Sequence, residues 1–280
     1  MRNDQYQLGE LLGRGGMGQV HAARHKSGKI VAIKRVRNTL REDRLVAGLL
    51  GDEARLLAAV SHPNVVRVLD AGTDRDGRPF LVMDRASGTP LHRVLAAGPL
   101  ARDRVLTIAA QLFAGLGAIH AAGIVHADLK SHNVLVDDID IVTIIDFGLA
   151  RPIALSSDPD APLGLIAGTP AYMAPELLGG GTPNVASDLY AAGAIVYELL
   201  TGTTPFAGSP AAILTRQLTE DVEPPSRRAP RRAISAALDA VVMCALDPAP
   251  GERFASAATM AAAFAAATGQ RRLARGSEIR

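Results

Sequence analysis

In VHADLKSHNVLV, residues 125–136, Asp128 and Asn133 interrupt a frame of Val and Leu. Five positions separate them, which is about 140° on a helix and opposite faces of a strand. Only a loop, with its ends pinned in short strands, would aim both at one point. A third oxygen donor, Asp146, follows the apolar run IVTII. Two carboxylates and an amide at strand ends suit a proton acceptor and ligands for a hard cation, which prefers oxygen. Any one of them alone is better read as a turn-forming Asx residue.

Three further features need partners. Gly13, Gly15 and Gly18 in GRGGMGQV have the spacing G-x-G-x-x-G, with strand-like sequence on both sides. That context speaks against a strand-to-helix dinucleotide turn and for a hairpin whose bare backbone can lie over phosphates. A merely flexible turn is the plainer reading. Lys34 ends VAIK and, on a strand, shares a face with Ile30, Ala32 and Val36, where an ammonium needs a partner or a ligand anion. An edge lysine in solvent is the alternative. In RLVAGLLGDEARLLAAV (44–60), Val46, Leu49, Leu50, Leu56, Leu57 and Val60 fall within about 60° of Glu53 on a helical wheel. Glu53 therefore sits in a buried stripe and needs a cation, for which Lys34 is the economical candidate. A carboxylate at the rim is the alternative.

The elements that must position these residues divide the chain. Apolar runs around the glycine cluster, KIVAIKRV, VVRVLDAG and PFLVMD predict strands. After ASGTP the pattern becomes helical: RDRVLTIAAQLFAGLGAIHAAG stops at Gly123, and SDLYAAGAIVYELLTG, ALDAVVMCAL and SAATMAAAFAAAT follow. The fold class is thus α+β, a β-rich front followed by a mainly helical back, with the change near Asp84–Gly88. With 48% hydrophobic residues in 280, the chain can build a real core. Lys plus Arg total 30 against 28 Asp plus Glu, which gives no case for nucleic-acid binding. One cysteine, Cys244, cannot form an internal disulfide and is expected in the core; the chain reads as suited to a reducing compartment. No run of about 18 apolar residues is evident and no signal peptide opens the sequence, so a cytoplasmic location is expected.

Taken in order, Gly13-x-Gly15-x-x-Gly18-x-Val20, VAIK, Glu53, HADLKSHN, DFG and APE resemble the protein kinases, over about Tyr6 to Thr268. RGGMGQVHAARH and LDPAPGERFASAATM resemble the bacterial branch of the eukaryotic-type (Hanks-type) serine/threonine kinases. The resemblance implies a bilobal catalytic domain over 6–268, with an N-lobe over 1–84, a C-lobe over 85–268 and a basic tail over 269–280. It implies ATP and Mg²⁺, with Mn²⁺ able to stand in, and Ser/Thr hydroxyls of proteins as acceptors, the chain itself included. The backbone from Gly13 through Arg14, Gly15, Gly16 and Met17 to Gly18 would cover the phosphates. Lys34, paired to Glu53, would contact them. Asp146 and Asn133 would hold the metal, Asp128 would accept the acceptor proton, and Lys130 would neutralise the moving phosphoryl group. Leu12, Val20, Ala32 and Leu135 would enclose adenine, with Met83 behind it and Asp84 and Ala86 offering backbone. Thr169 would tie the substrate loop to Asp128 and Lys130, Glu176 would pair with Arg253, and Asp188 would brace the catalytic loop. His126 is expected in the core.

Two departures stand out. Ala127 replaces the Arg with which many regulated kinases grip a loop phosphate, and only Ser156 and Ser157 offer hydroxyls between Leu149 and Gly168. Activity is therefore expected not to depend strongly on loop phosphorylation. Ser131 replaces a common Pro and is expected to be neutral. A pseudokinase acting as a nucleotide-binding interaction module and a small-molecule phosphotransferase are the rival readings, weakened by the complete polar set and by GTPAYMAPE.

Overall fold

The computed structural model describes residues 5–14, 18–36, 56, 58–74, 79–146, 151–152 and 169–269. Five antiparallel strands form the front: β1 (Tyr6–Arg14), β2 (Gly18–His25), β3 (Ile30–Val36), β4 (Val68–Thr73) and β5 (Pro79–Asp84), in the order β1-β2-β3-β5-β4. The alternation of β3 places Val31 and Ile33 on one face with Ala23, Phe80 and Val82. Ala32, Leu81 and Met83, on the other face, join the main core of the molecule. Both faces are covered, which is why β3 and β5 read as nearly continuous apolar runs. Gly18 is required where β2 begins, because a Cβ there would lie 2.9 Å from the Arg35 carbonyl oxygen.

One strand starts later than the sequence suggests. VVRVLDAG predicts a strand from Val65, but β4 begins at Val68. Val65 instead bridges Ile144, and Val66 N–H donates to the Ile144 carbonyl at 2.9 Å. Those two valines stitch the sheet to the helical half rather than extending β4.

The back half is built around α2 (Arg102–Ala121) and α4 (Val185–Thr201), α1 (Leu91–Ala96) and α3 (Pro175–Leu178) being short. Every residue of α4 from Ser187 to Leu200 is buried. An Asn184–Ser187 capping box starts the helix and left-handed Gly202 ends it. Helices α5 (Pro210–Thr219), α6 (Pro225–Arg228), α7 (Ala236–Ala245) and α8 (Ala257–Thr268) complete this half. Phe264 of α8 packs edge-on against Phe113 of α2 at 5.5 Å. By length and composition α2 would suffice to cross a membrane, yet half of that stretch is buried in the domain, as for a core helix. Cys244, expected in the core, is only half-buried: Val241, Val242 and Ala245 take the inner side of α7, and the thiol faces the Glu252 carbonyl at 3.6 Å.

Two small sheets close the stretch from Val125 to Val136. β7 (Ile124–Val125) pairs with β10 (Arg151–Pro152), and β8 (Val134–Val136) lies between β6 (Thr89–Pro90) and β9 (Val142–Ile144). Gly88, at φ 115°, precedes β6; a Cβ there would lie 2.6 Å from the Val136 backbone.

Candidate active site

β7 and β8 pin the two ends of the loop that carries Asp128 and Asn133, the arrangement its sequence demanded. Inside it, Ala127 takes the left-handed conformation at φ 64°, which costs a non-glycine residue roughly 1–2 kcal/mol. Asp188, on the first turn of α4, holds this turn: Oδ2 accepts from His126 N–H at 2.8 Å and Oδ1 from Ala127 N–H at 2.9 Å. His120 Nε2 lies 2.9 Å from the same carboxylate. His126 is fully buried, and burial lowers its imidazole below its ordinary value against the pull of Asp188, Asp128 and Asp146. The ring is neutral, and Nδ1 accepts from Asp128 N–H at 3.3 Å.

The polar side chains converge step by step. Lys130 Nζ donates to Asp128 Oδ2 at 2.6 Å. Asn133 Nδ2 donates to the Asp128 carbonyl at 3.0 Å and to Oδ2 at 3.4 Å. With that amide nitrogen committed, Asn133 Oδ1 is the atom left for a cation. Ile145 N–H donates to the Asn133 carbonyl at 2.8 Å, which sets Asp146 beside Asn133. Asp146, also left-handed at φ 65°, accepts from Lys34 Nζ of β3 at 2.6 Å. Lys34 is 8% exposed. A strand lysine, two acids and an amide therefore face one cleft, although Lys34 and Asp146 are 112 residues apart.

The residues expected around adenine come from five strands: Leu12 from β1, Val20 from β2, Ala32 from β3, Met83 from β5 and Leu135 from β8. Ala32 stands opposite Met83, and Lys34 stands between Val20 and Leu81 in register. Val20 packs on the main core, while Leu12 remains 43% exposed. Leu135 is half-buried on β8. Asp84 closes β5 with its carboxylate turned to Lys29 at 2.7 Å and Arg67 at 3.0 Å, and its N–H donates to the Arg67 carbonyl at 2.9 Å; Ala86 is half-buried just beyond. Gly13 and Arg14 end β1. Gly15, Gly16, Met17 and Glu53 lie outside the described residues. So do 153–168, on which the expectation about loop phosphorylation falls.

Glu176 and Arg253 meet in a two-pronged pair, 2.7 Å at each prong, and the guanidinium has no exposed surface. Thr169 precedes the turn Pro170–Tyr172. Among the described residues its backbone carbonyl accepts from Tyr172 N–H at 3.1 Å, and its side chain makes no bond to Asp128 or Lys130, which bond each other instead. A buried contact that the sequence did not suggest lies nearby: Ser131, Tyr172 and Glu198 join by side-chain hydrogen bonds. No periodicity marks them, because each bond spans a long stretch of chain.

With this geometry in hand, the protein kinase domain family matches residues 6–265. The chain is 38% identical over 278 residues to serine/threonine-protein kinase pkn3 of Myxococcus xanthus, covering 96% of this chain and 51% of that protein. It is 37% identical over 266 residues to serine/threonine-protein kinase PknB of Mycolicibacterium smegmatis and of Mycobacterium tuberculosis, covering 93% of this chain and 42% of each. The chain thus spans about half, or less, of the length of these relatives.

Proposed function

Because the chain belongs to the protein kinase family, in its bacterial serine/threonine branch, we propose that it transfers the γ-phosphoryl group of ATP to Ser or Thr hydroxyls of proteins, its own included. Residues 6–268 are then the catalytic domain, its lobes dividing after Asp84. One observation carries the reading: Lys34 from the sheet and Asp146 from the helical half meet at 2.6 Å, beside a loop that presents Asp128, Lys130 and Asn133 together.

The donor set fits a magnesium nucleotide. Among the described residues no three His, Cys, Asp or Glu side chains cluster as a self-sufficient metal cage. One carboxylate and one amide oxygen suit Mg²⁺, which keeps waters and takes phosphate oxygens as its other ligands. Asp146 and Asn133 would hold it, and Mn²⁺ would fit the same oxygens. When bound, the metal supplies charge neutralisation on the phosphates.

The chain's own residues do the rest. Lys34 gives its charge to the phosphates, and the glycine-rich sequence that Gly13 and Gly18 bracket, at the end of β1 and the start of β2, is the one whose backbone would cover them. Leu12, Val20, Ala32 and Leu135 hold the base, with Met83 at the back. Asp128, oriented by Lys130 and by the Asn133 amide, receives the proton of the acceptor hydroxyl. As that proton leaves, the hydroxyl oxygen bonds to the γ-phosphorus and the bond to the β-phosphate oxygen breaks, releasing ADP. Lys130 keeps positive charge beside the transfer, so the protein's contribution is position and field. A single cysteine suits a reducing compartment, and we place the domain in the cytoplasm.

The test is labelled ATP with Mg²⁺, offered the chain itself, a generic basic protein and small acceptors. Label on Ser or Thr of protein is expected, falling by about 10²–10⁴-fold in Asp128→Asn. No label on any acceptor, or label confined to small molecules, would overturn the proposal.

A further inference from the structure

A buried polar relay joins the catalytic loop to the segment that follows Thr169, and the reaction as described does not use it. Ser131 is wholly buried. It opens the short turn Ser131–Asn133, directly after Lys130 and two places before Asn133. Its Oγ lies 2.7 Å from the Tyr172 hydroxyl, and Tyr172 donates to Glu198 Oε2 at 2.7 Å. Tyr172 closes the turn Pro170–Tyr172, and Glu198 belongs to α4, the helix that also carries Asp188. Tyr172 is 6% exposed and Glu198 9%.

The direction of the relay follows from counting hydrogens. A phenol has one, and Tyr172 gives it to Glu198. At the other contact Ser131 must therefore be the donor, so the chain runs from Ser131 to Tyr172 to Glu198. An Ala at position 131 would remove the hydroxyl donor and leave the buried phenol oxygen only the backbone N–H of residue 131, and a Pro would remove both. Serine is not a neutral replacement here.

The two ends of the relay are not equally secured. The catalytic loop is held independently by Asp188, by the Ile145–Asn133 backbone bond and by β8. The Pro170–Tyr172 turn is held from α5, where Gln217 Nε2 donates to the Pro170 carbonyl at 2.9 Å and to the Met173 carbonyl at 3.1 Å. Its link to the catalytic loop runs through Ser131. Loss of that hydroxyl would shift this turn relative to Lys130 and Asp128, leaving the nucleotide end of the cleft in place.

We infer that Ser131 is a positioning residue for transfer to protein acceptors: through Tyr172 and Glu198 it sets the distance between the catalytic loop and the segment from Thr169 to Met173. The inference rests on the kinase reading. Ser131 touches neither nucleotide nor acceptor. Its effect should therefore be confined to the acceptor reaction.

The experiment compares the full chain with Ser131→Ala, Ser131→Thr, Tyr172→Phe and the Ser131→Ala/Tyr172→Phe double variant. It measures kcat and KM for a peptide acceptor, KM for ATP, and slow ATP hydrolysis without acceptor. In Ser131→Ala, kcat for the peptide should fall about tenfold, the scale of one buried hydrogen bond, with KM for ATP and acceptor-free hydrolysis nearly unchanged. Ser131→Thr should recover most of the loss, and the double variant should be no worse than Tyr172→Phe alone. Wild-type peptide turnover in Ser131→Ala, an equal loss in both reactions, or independent losses in the double variant would each overturn the inference. Wild-type chain that neither hydrolyses ATP nor labels a peptide would instead overturn the kinase reading, and the inference with it.

Discussion

At the scale of single residues, Glu198 carries an unusual burden. Burial raises its carboxyl above the ordinary value of 4.5, and the hydrogen bond from Tyr172, with the Ser131 hydroxyl close by, counters that only in part. Tyr172 is itself raised, first by burial and then by Glu198, so it stays a donor at neutral pH. The folded chain thus keeps a proton on Glu198 to higher pH than the unfolded chain. This group lowers stability as pH climbs from 4.5 toward its raised folded value, and above that value the loss is complete. Glu198→Gln removes the titration and keeps an oxygen that accepts from Tyr172. Urea unfolding should find the variant more stable than wild type at neutral pH, with the advantage fading as acid is added. A pH-independent difference would rule this account out. The residue types of the cleft were legible in the sequence because Asp128, Lys130, Asn133 and Asp146 interrupt apolar runs, where polar groups need a reason. The relay was not: Ser131 and Tyr172 lie 41 residues apart, Tyr172 and Glu198 26, and neither separation follows from any local repeat.

Between elements, the Glu176–Arg253 pair does what side-chain packing alone could not. Arg253 sits after a short turn ahead of α8 and bonds the carbonyls of Asp247, Ala186 and Pro248, with its guanidinium 5.0 Å over the Tyr190 ring. Glu176, in α3, supplies the only acid in that array among the described residues. Glu176→Ala would leave a buried cation without its counter-charge, and denaturant unfolding should register a loss of about 3–5 kcal/mol. Glu176→Gln, which keeps one acceptor oxygen, should lose less. A change below about 1 kcal/mol in the Ala variant would mean that the carbonyls suffice. Helices of this kind were readable in advance: Arg102–Ala121 and Val185–Thr201 have apolar residues at helical spacing, with Gly123 and Gly202 in left-handed conformation just past their ends. Strand ends were less readable, because partners set them. Val65 and Val66 are as β-prone as the residues of β4, yet Ile144 from the far side claims them. The inner side of α7 was likewise decided by its neighbours, which is how Cys244 came to be half-buried despite an almost wholly apolar helix.

For the molecule as a whole, the consequence is that two structural halves share one site. The sheet contributes Lys34 and the helical half contributes Asp146, and their ion pair joins the two across the cleft. Surface pairs of this kind contribute little, but Lys34 is largely shielded while the Asp146 side chain is 42% exposed, so the contact is neither fully dry nor free of solvent screening. A ligand that engages both residues should bind the folded chain alone and stabilise it by mass action, by about 2.7 kcal/mol at a hundredfold excess over Kd. ATP with Mg²⁺ should therefore raise the unfolding temperature in a concentration-dependent way, and ATP with a chelator should do so less. Lys34→Met and Asp146→Asn should each blunt the shift from opposite halves, and the double variant should lose little more than the weaker single one, since on the proposed function both serve the same triphosphate. Undiminished stabilisation in either single variant would show that the nucleotide is held elsewhere, and the shared cleft would then be an incidental meeting of charges.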